Sequence, residues 1–61
     1  MDELNLVELQ NLKTLINYHN TLYQKLINYS SNCVDPQIKQ TFTKAAQDSL
    51  NTKQQLLSFL N

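Results

Sequence analysis

The apolar residues of the chain recur at intervals of three and four, which is the spacing of one face of an α-helix. Two series of this kind occur, and each includes a polar residue near its middle. The first consists of Leu9, Leu12, Leu15, Ile16, His19, Leu22, Tyr23, Leu26, Ile27 and Tyr29. The second consists of Ile38, Phe42, Ala45, Ala46, Ser49, Leu50, Leu56, Leu57 and Leu60. Apolar and polar residues do not alternate as they do in strands, so the pattern predicts an all-α fold with two helices.

The first predicted helix begins after a capping signal. Asn5 precedes Glu8 by three residues, the spacing at which the two residues of a capping box satisfy each other's backbone N–H groups. Together with the first apolar series, this signal predicts a helix over about residues 6–31. Asn32 tolerates the left-handed conformation better than most residues, so we expect it to end this helix.

A second start signal follows after a short interruption. Asp35 can accept hydrogen bonds from the N–H groups of the next turn, and Pro36 suits the first helical position, where an N–H group would have no partner. The chain has no glycine and Pro36 is its only proline, so the sequence predicts a single break between helices. The second helix is predicted over about residues 36–60.

Two long helices joined by a short turn form an antiparallel hairpin, and 61 residues make one domain, residues 1–61. A chain of this size has a small core and often gains stability from disulfides, a metal or oligomerisation. Its single cysteine cannot form an internal disulfide. Because the apolar stripes are wider than one neighbouring helix covers, we expect two hairpins to pair as a four-helix bundle, most simply as a homodimer.

The stripe positions predict the residues that form the core and the dimer interface of this bundle. They are Leu12, Leu15, Ile16, His19, Leu22, Tyr23, Leu26, Ile38, Phe42, Ala45, Ser49, Leu56 and Leu60. Counting from the turn, His19 is expected to lie level with Asp48, Ser49 and Thr52. Tyr18 is expected to be more exposed than Tyr23 and Tyr29, whose rings are predicted to pack at the edge of the core.

The composition argues against several classes of partner. Five lysines balance five acidic residues, and arginine is absent. The lysines are scattered, so the chain lacks a basic patch for nucleic acid and a basic face for anionic lipid. No apolar run is long enough to cross a bilayer, and the acidic start at residues 1–3 does not resemble a signal peptide. We therefore expect an intracellular protein that binds neither nucleic acid nor membrane.

His19 has two interpretations. It is either a core or boundary histidine whose ring nitrogens bond to a hydroxyl, a carboxylate or a water, or a ligand in a metal site at a dimer interface. The metal site would use His19 and Asp48 from both chains. These four side chains are few, and the Glu-x-x-His pair of carboxylate-bridged di-iron bundles is missing. The first interpretation is therefore favoured.

Cys33 lies at the predicted turn and is interpreted as a small apolar plug at the hairpin tip. The alternative is an intermolecular disulfide or a redox role, but no histidine or cluster of cations lies beside it in the sequence to activate the thiol. The chain also lacks a glycine-rich phosphate loop, a nucleophile elbow and a cysteine pair. We therefore predict no catalytic residue, no metal ligand and no cofactor, and hence a protein that is not an enzyme.

Three segments of the chain carry a family resemblance. They are ELQNL over 8–12, DPQIK over 35–39 with the following residues 42–47, and LLSFL over 56–60. In this order they resemble the coat-F family of spore coat proteins and its short ferritin-like relatives from spore-forming Firmicutes. The resemblance extends over nearly the whole chain, and residues 35–47 carry most of it.

The resemblance implies a ferritin-like helical hairpin that assembles into a four-helix bundle and has a structural role in the spore coat. It also implies a location in the coat, the forespore or the mother cell, and other coat proteins as partners. Relatives often carry His or Glu where this chain has Asp48, Ser49, Asn51 and Thr52. These differences count against an inherited metal centre.

Three functions are therefore considered. The favoured one is a non-catalytic structural or interaction protein, a spore-coat-related homodimeric bundle. The second is a reduced ferritin-like bundle that binds a metal or a small ligand through His19 and Asp48. The third is a helical adaptor, whose exposed stripe receives a helix of another protein.

Overall fold

The computed structural model describes residues 4–60 and contains two α-helices that pack against each other. Helix α1 spans Leu6–Asn32, helix α2 spans Pro36–Leu57, and a short 3-10 turn follows at Ser58–Leu60. Residues 4–60 include no strand. The predicted all-α class and the antiparallel hairpin are thus confirmed.

The start of α1 is fixed by the predicted capping box. The backbone N–H of Glu8 donates to the Asn5 side-chain oxygen at 2.8 Å, and the backbone N–H of Asn5 donates to the Glu8 carboxylate at 3.1 Å. These two bonds satisfy N–H groups that have no partner inside a helix. The sequence signal therefore located this helix end correctly.

The end of α1 differs from the prediction. Asn32 is the last residue of the helix and is not left-handed, and the next residue, Cys33, is extended with φ −80° and ψ 138°. The Asn32 side chain instead donates to the backbone oxygen of Asn28 at 2.9 Å. The N–H of Cys33 donates to the carbonyl of Ser30 at 3.2 Å. Because these bonds satisfy carbonyls of the last turn, the helix ends without a left-handed residue.

The start of α2 agrees with the prediction. One carboxylate oxygen of Asp35 accepts from the backbone N–H of Gln37 at 2.8 Å and from that of Ile38 at 3.2 Å. Pro36 occupies the first helical position. Residues 33–35 therefore form the whole connection between the two helices, which is short enough to keep them antiparallel.

The far end of α2 was predicted too long. The α-helix ends at Leu57 rather than at Leu60, and residues 58–60 tighten into a 3-10 turn. The Ser58 hydroxyl donates to the carbonyl of Gln55 at 2.6 Å, three residues back, which satisfies a carbonyl of the last turn. Tightening of this kind is common at the last turn of helices and leaves no strong sequence signal.

The hairpin is long and thin. Its Cα radius of gyration is 14.3 Å and its extents are 46 × 16 × 12 Å. A compact domain of the same length would have a radius of gyration of about 10–11 Å. Residues 4–60 therefore form a single layer of two helices, and the described part of the chain includes no third α-helix to cover either broad side.

Few side chains are fully buried in this layer. The buried apolar residues are Leu12 and Ala46, and the buried polar residues are Ser30 and Ser49. The total accessible surface is 4854 Å², whereas a folded monomer of 7.1 kDa typically exposes about 4,100 Å². About 750 Å² therefore remains exposed that a compact monomer of this mass would bury.

Candidate association surface

The two helices meet along a row of side chains that we call the hairpin seam. In α1 its members are Leu12, Ile16, His19, Tyr23, Leu26 and Ser30. In α2 they are Phe42, Ala46, Ser49, Lys53 and Leu56. All of these are buried or half-buried, and they repeat at alternating intervals of three and four. This is the heptad spacing with which two helices pack side by side.

Ser30 anchors the turn end of the seam. It is 5% exposed, its hydroxyl lies 2.6 Å from the Thr43 hydroxyl, and it donates to the Lys39 carbonyl at 3.3 Å. Thr43 also donates to the same carbonyl at 2.9 Å. Ser30 is absent from the predicted interface residues because the predicted stripe followed apolar residues. The alternating intervals from Leu12 onward, continued by one step past Leu26, lead to position 30.

His19 lies at the middle of α1, level with Ser49 as predicted. Its Nδ1 atom lies 3.4 Å from the Ser49 hydroxyl, a long hydrogen bond whose donor depends on the ring tautomer. The Tyr18 ring meets the imidazole edge-on, with centroids 5.2 Å apart. His19 is half-buried, and Ser49 is buried. The imidazole is thus a boundary group satisfied by a hydroxyl, which is the favoured interpretation of this residue.

A second polar contact links the seam to one broad side of the hairpin. The Lys53 ammonium donates to the Asn20 side-chain oxygen at 2.8 Å. Tyr18 and Asn20 flank His19 in the sequence, so they project from α1 about 100° to either side of it. The Asn20–Lys53 pair therefore marks one broad side of the hairpin, and Tyr18 marks the opposite one.

The side marked by Tyr18 carries two rows of apolar residues, and we call it the open apolar side. In α1 the row is Leu15, Leu22 and Tyr29, which are spaced by seven. In α2 the row is Ile38, Phe42, Ala45 and Leu56. Phe42 belongs to both the seam and the α2 row, and its ring contacts the Tyr29 ring of the α1 row with centroids 5.7 Å apart, so the two rows meet near the turn. The exposed fractions are 47% for Leu15, 48% for Tyr29 and 51% for Ile38.

These rows belong to a second heptad pattern that overlaps the hairpin seam. With His19 and Leu26 included, the α1 row runs 15, 19, 22, 26, 29. With Ser49 and Thr52 included, the α2 row runs 38, 42, 45, 49, 52, 56. A helix with one partner needs one such row, whereas a helix in a bundle carries a wider stripe. Each helix of this hairpin therefore has the pattern of a helix with two neighbours.

The predicted interface residues divide between these two patterns. Leu12 and Ser49 are buried in the single hairpin, whereas three of the predicted residues are exposed: Leu15, Ile38 and Leu60. The remaining members of the predicted set are half-buried. They are Ile16, His19, Leu22, Tyr23, Leu26, Phe42, Ala45 and Leu56. Tyr18 is more exposed than Tyr23 and Tyr29, as predicted.

The described residues offer little for chemistry. Residues 4–60 contain no group of three or more His, Cys, Asp or Glu side chains that are close enough to hold a metal ion. Cys33 is a half-buried free thiol at the turn. A shallow depression is lined by Gln37, Ile38, Gln40, Thr41 and Lys44, and because all of these belong to α2 it is a groove on one helix.

Neither helix in residues 4–60 is both long and apolar enough to cross a membrane. Comparisons of the chain with protein-family models, with curated proteins and with solved structures find no match in any of the three. The function is therefore inferred from the geometry of the hairpin and from the resemblance carried by its sequence.

Proposed function

We propose that this protein is a non-catalytic structural protein that acts by self-association, in which two copies bury their open apolar sides as a four-helix bundle. The observation that carries the proposal is the position of the half-exposed residues Leu15, Tyr29 and Ile38 on one side of the hairpin. A contiguous apolar side on a soluble protein is typical of an interface. The heptad pattern of that side suits another helix rather than a small ligand.

The exposed surface of the whole hairpin, taken over both broad sides, is large enough for a protein partner. The hairpin exposes about 750 Å² more than a compact monomer of its mass, and a standard interface buries about 800 Å² on each partner. Its broad side measures 46 × 16 Å, so two copies placed face to face would bury on the order of 1,500 Å² in total. That area is sufficient for a stable and specific dimer.

We place this bundle in the spore coat, on the strength of the resemblance of residues 35–47 and the flanking segments to the coat-F family. A structural role in the coat needs no catalytic residue, so it is compatible with the proposed non-catalytic function. Detection of the protein in extracts of purified spore coats, compared with vegetative cells, tests this part. Its absence from the coats would refute the location and leave the self-association proposal standing.

Concentration-dependent thermal unfolding tests self-association. If folding and pairing are coupled, Tm measured by circular dichroism rises as the chain concentration increases from about 5 to about 500 µM, because mass action favours the folded dimer. A Tm that is the same across this range would refute the homodimer. That result would favour the adaptor hypothesis, in which the open apolar side receives a helix of another protein.

A further inference from the structure

We infer that, in the proposed dimer, the two turns lie at the same end of the bundle and α1 of each copy packs against α2 of the other. This inference rests on the proposed function, and it adds the identity and the orientation of the partner. The occupant of the open apolar side is then a second copy related by a two-fold axis parallel to the helices. Two features of that side support this arrangement: the sizes of its side chains and its charges.

Two face-to-face arrangements are compatible with two-fold symmetry. If the axis is parallel to the helices, the turns share one end and each α1 faces the partner's α2. If the axis crosses the helices, the turns lie at opposite ends, α1 faces the partner's α1 and α2 faces the partner's α2. Neighbouring helices are antiparallel in both cases, so helix direction does not distinguish them.

Side-chain size distinguishes the two arrangements. The middle of the α2 row consists of the small residues Ala45, Ser49 and Thr52, whereas the middle of the α1 row consists of His19 and Leu22. Inside the hairpin, a large side chain already faces a small one, because the Nδ1 atom of His19 lies 3.4 Å from the Ser49 hydroxyl. Only the arrangement with the turns together repeats this complementarity between copies. The opposite arrangement sets small residues against small ones and leaves cavities, which are destabilising.

The charges at the edges of the open apolar side favour the same arrangement. Lys25 follows Tyr18 by seven residues and is exposed on the outer edge of α1. Asp48 lies between Ala45 and Thr52 at intervals of three and four and is exposed on the outer edge of α2. Both edges border the surface that a partner would cover, so the charges lie at the rim of the proposed interface.

The register of the hairpin predicts what these charges meet. Ser30 contacts Thr43 and Asn20 contacts Lys53, whereas His19 contacts Ser49, so the facing positions of the two antiparallel helices vary by about one helical turn. If α1 meets the partner's α2 in the register of the first two contacts, Lys25 lies opposite Asp48 of the partner subunit. The symmetry forms this ion pair twice. In the opposite arrangement, with the axis crossing near the middle of α2, Asp48 approaches Asp48 of the partner subunit, and two like charges repel.

The native cysteine provides the main test. The chain has one cysteine, Cys33 at the turn, so a nitroxide attached to it reports the distance between the two turns by pulsed electron paramagnetic resonance. With the turns together, we expect a distance below about 25 Å, since neighbouring helices lie about 8–10 Å apart. With the turns apart, the length of α1, 27 residues, sets a distance of about 40 Å.

Each outcome of this measurement has a different meaning. A short distance supports the inference. A distance near 40 Å would overturn the inference and leave the proposed homodimer intact. The absence of any dipolar coupling in a folded sample, at concentrations up to about 500 µM, would refute the homodimer and the inference with it.

A charge exchange provides an independent test. Lys25→Glu places a carboxylate opposite Asp48 of the partner subunit at two symmetric sites, and we expect the Kd for dimerisation to rise roughly five- to tenfold, in keeping with exposed ion pairs. The double variant Lys25→Glu with Asp48→Lys restores the original Kd within about twofold. Lys13→Glu is the matched control, because Lys13 precedes Asn20 by seven residues and lies on the opposite side. A double variant as weak as Lys25→Glu would overturn the inference.

Discussion

Replacement of one isoleucine on the open apolar side tests whether that side is the interface. Ile38 is 51% exposed in the hairpin and belongs to the α2 row of that side. Full burial of an isoleucine contributes about 1.5–3 kcal/mol, so burial of the exposed half contributes about 1 kcal/mol in each copy. In Ile38→Gln this burial free energy is lost, and a side-chain amide without a hydrogen-bond partner at the interface costs about 1 kcal/mol more.

These terms occur twice in a symmetric dimer, so Ile38→Gln is expected to weaken dimerisation by about 4 kcal/mol. A change of that size raises Kd by roughly a thousandfold, because about 1.4 kcal/mol corresponds to a factor of ten. At concentrations above its raised Kd, the variant is expected to have the helix content of the unaltered chain, since the substitution lies at an exposed position near the start of α2. Sedimentation equilibrium gives the Kd, and circular dichroism checks the helix content.

The chain provides a matched control at Ile27. This residue is 38% exposed and lies on α1, seven residues after Asn20, on the side opposite to the open apolar side. Ile27→Gln makes the same chemical change where no partner is expected, so Kd should change by no more than about threefold. Equal weakening by the two substitutions, or no weakening by Ile38→Gln, would refute the assignment of the interface.

Three further predictions concern the hairpin itself. Ser30→Ala removes the part-buried hydroxyl that contacts Thr43 and the Lys39 carbonyl, and we expect the free energy of unfolding in urea to fall by about 1 kcal/mol; no change would show that the Ser30–Thr43 contact is not stabilising. Asp35→Ala removes the cap of α2 and should cost about 1 kcal/mol, whereas Asp35→Asn should retain most of the stability. His19→Leu replaces a long hydrogen bond by apolar contact, so Tm should be equal or higher; a fall of several degrees would show that the imidazole is structurally required.

The sequence was sufficient to predict features that depend on a few adjacent residues. The capping box of Asn5 and Glu8 and the cap of Asp35 before Pro36 each involve residues within one turn. Such signals act through backbone N–H groups that every helix start leaves without a partner. The positions of both helix starts therefore agreed with the structure.

The ends of the helices were harder to predict because several local solutions have similar energy. Asn32 was expected to end α1 in the left-handed conformation, but its side chain bonds back to Asn28 and the helix includes it. At the end of α2, a hydroxyl bond from Ser58 tightens the last turn and ends the α-helix at Leu57. Serine and asparagine can satisfy backbone groups in more than one way, so their presence alone does not determine which ending forms.

The candidate site was predicted in outline from the apolar series, which included the polar residues His19 and Ser49 but not Ser30 and Lys53. Ser30 and Lys53 both lie in the hairpin seam, yet neither is apolar, so a stripe drawn through apolar residues excluded them. The heptad intervals include both positions. Where the two apolar rows meet could not be predicted from the series, because it depends on contacts between the helices, such as the Tyr29–Phe42 ring contact.

The central claim is that the hairpin completes its core with a second copy, and the solution mass tests it most directly. Sedimentation equilibrium of the unaltered chain at tens of micromolar should give twice the monomer mass of 7.1 kDa, with the helix content of the hairpin retained. A helical, cooperatively unfolding species of 7.1 kDa at the same concentration would contradict the account, because it would show that the open apolar side is stable without a partner.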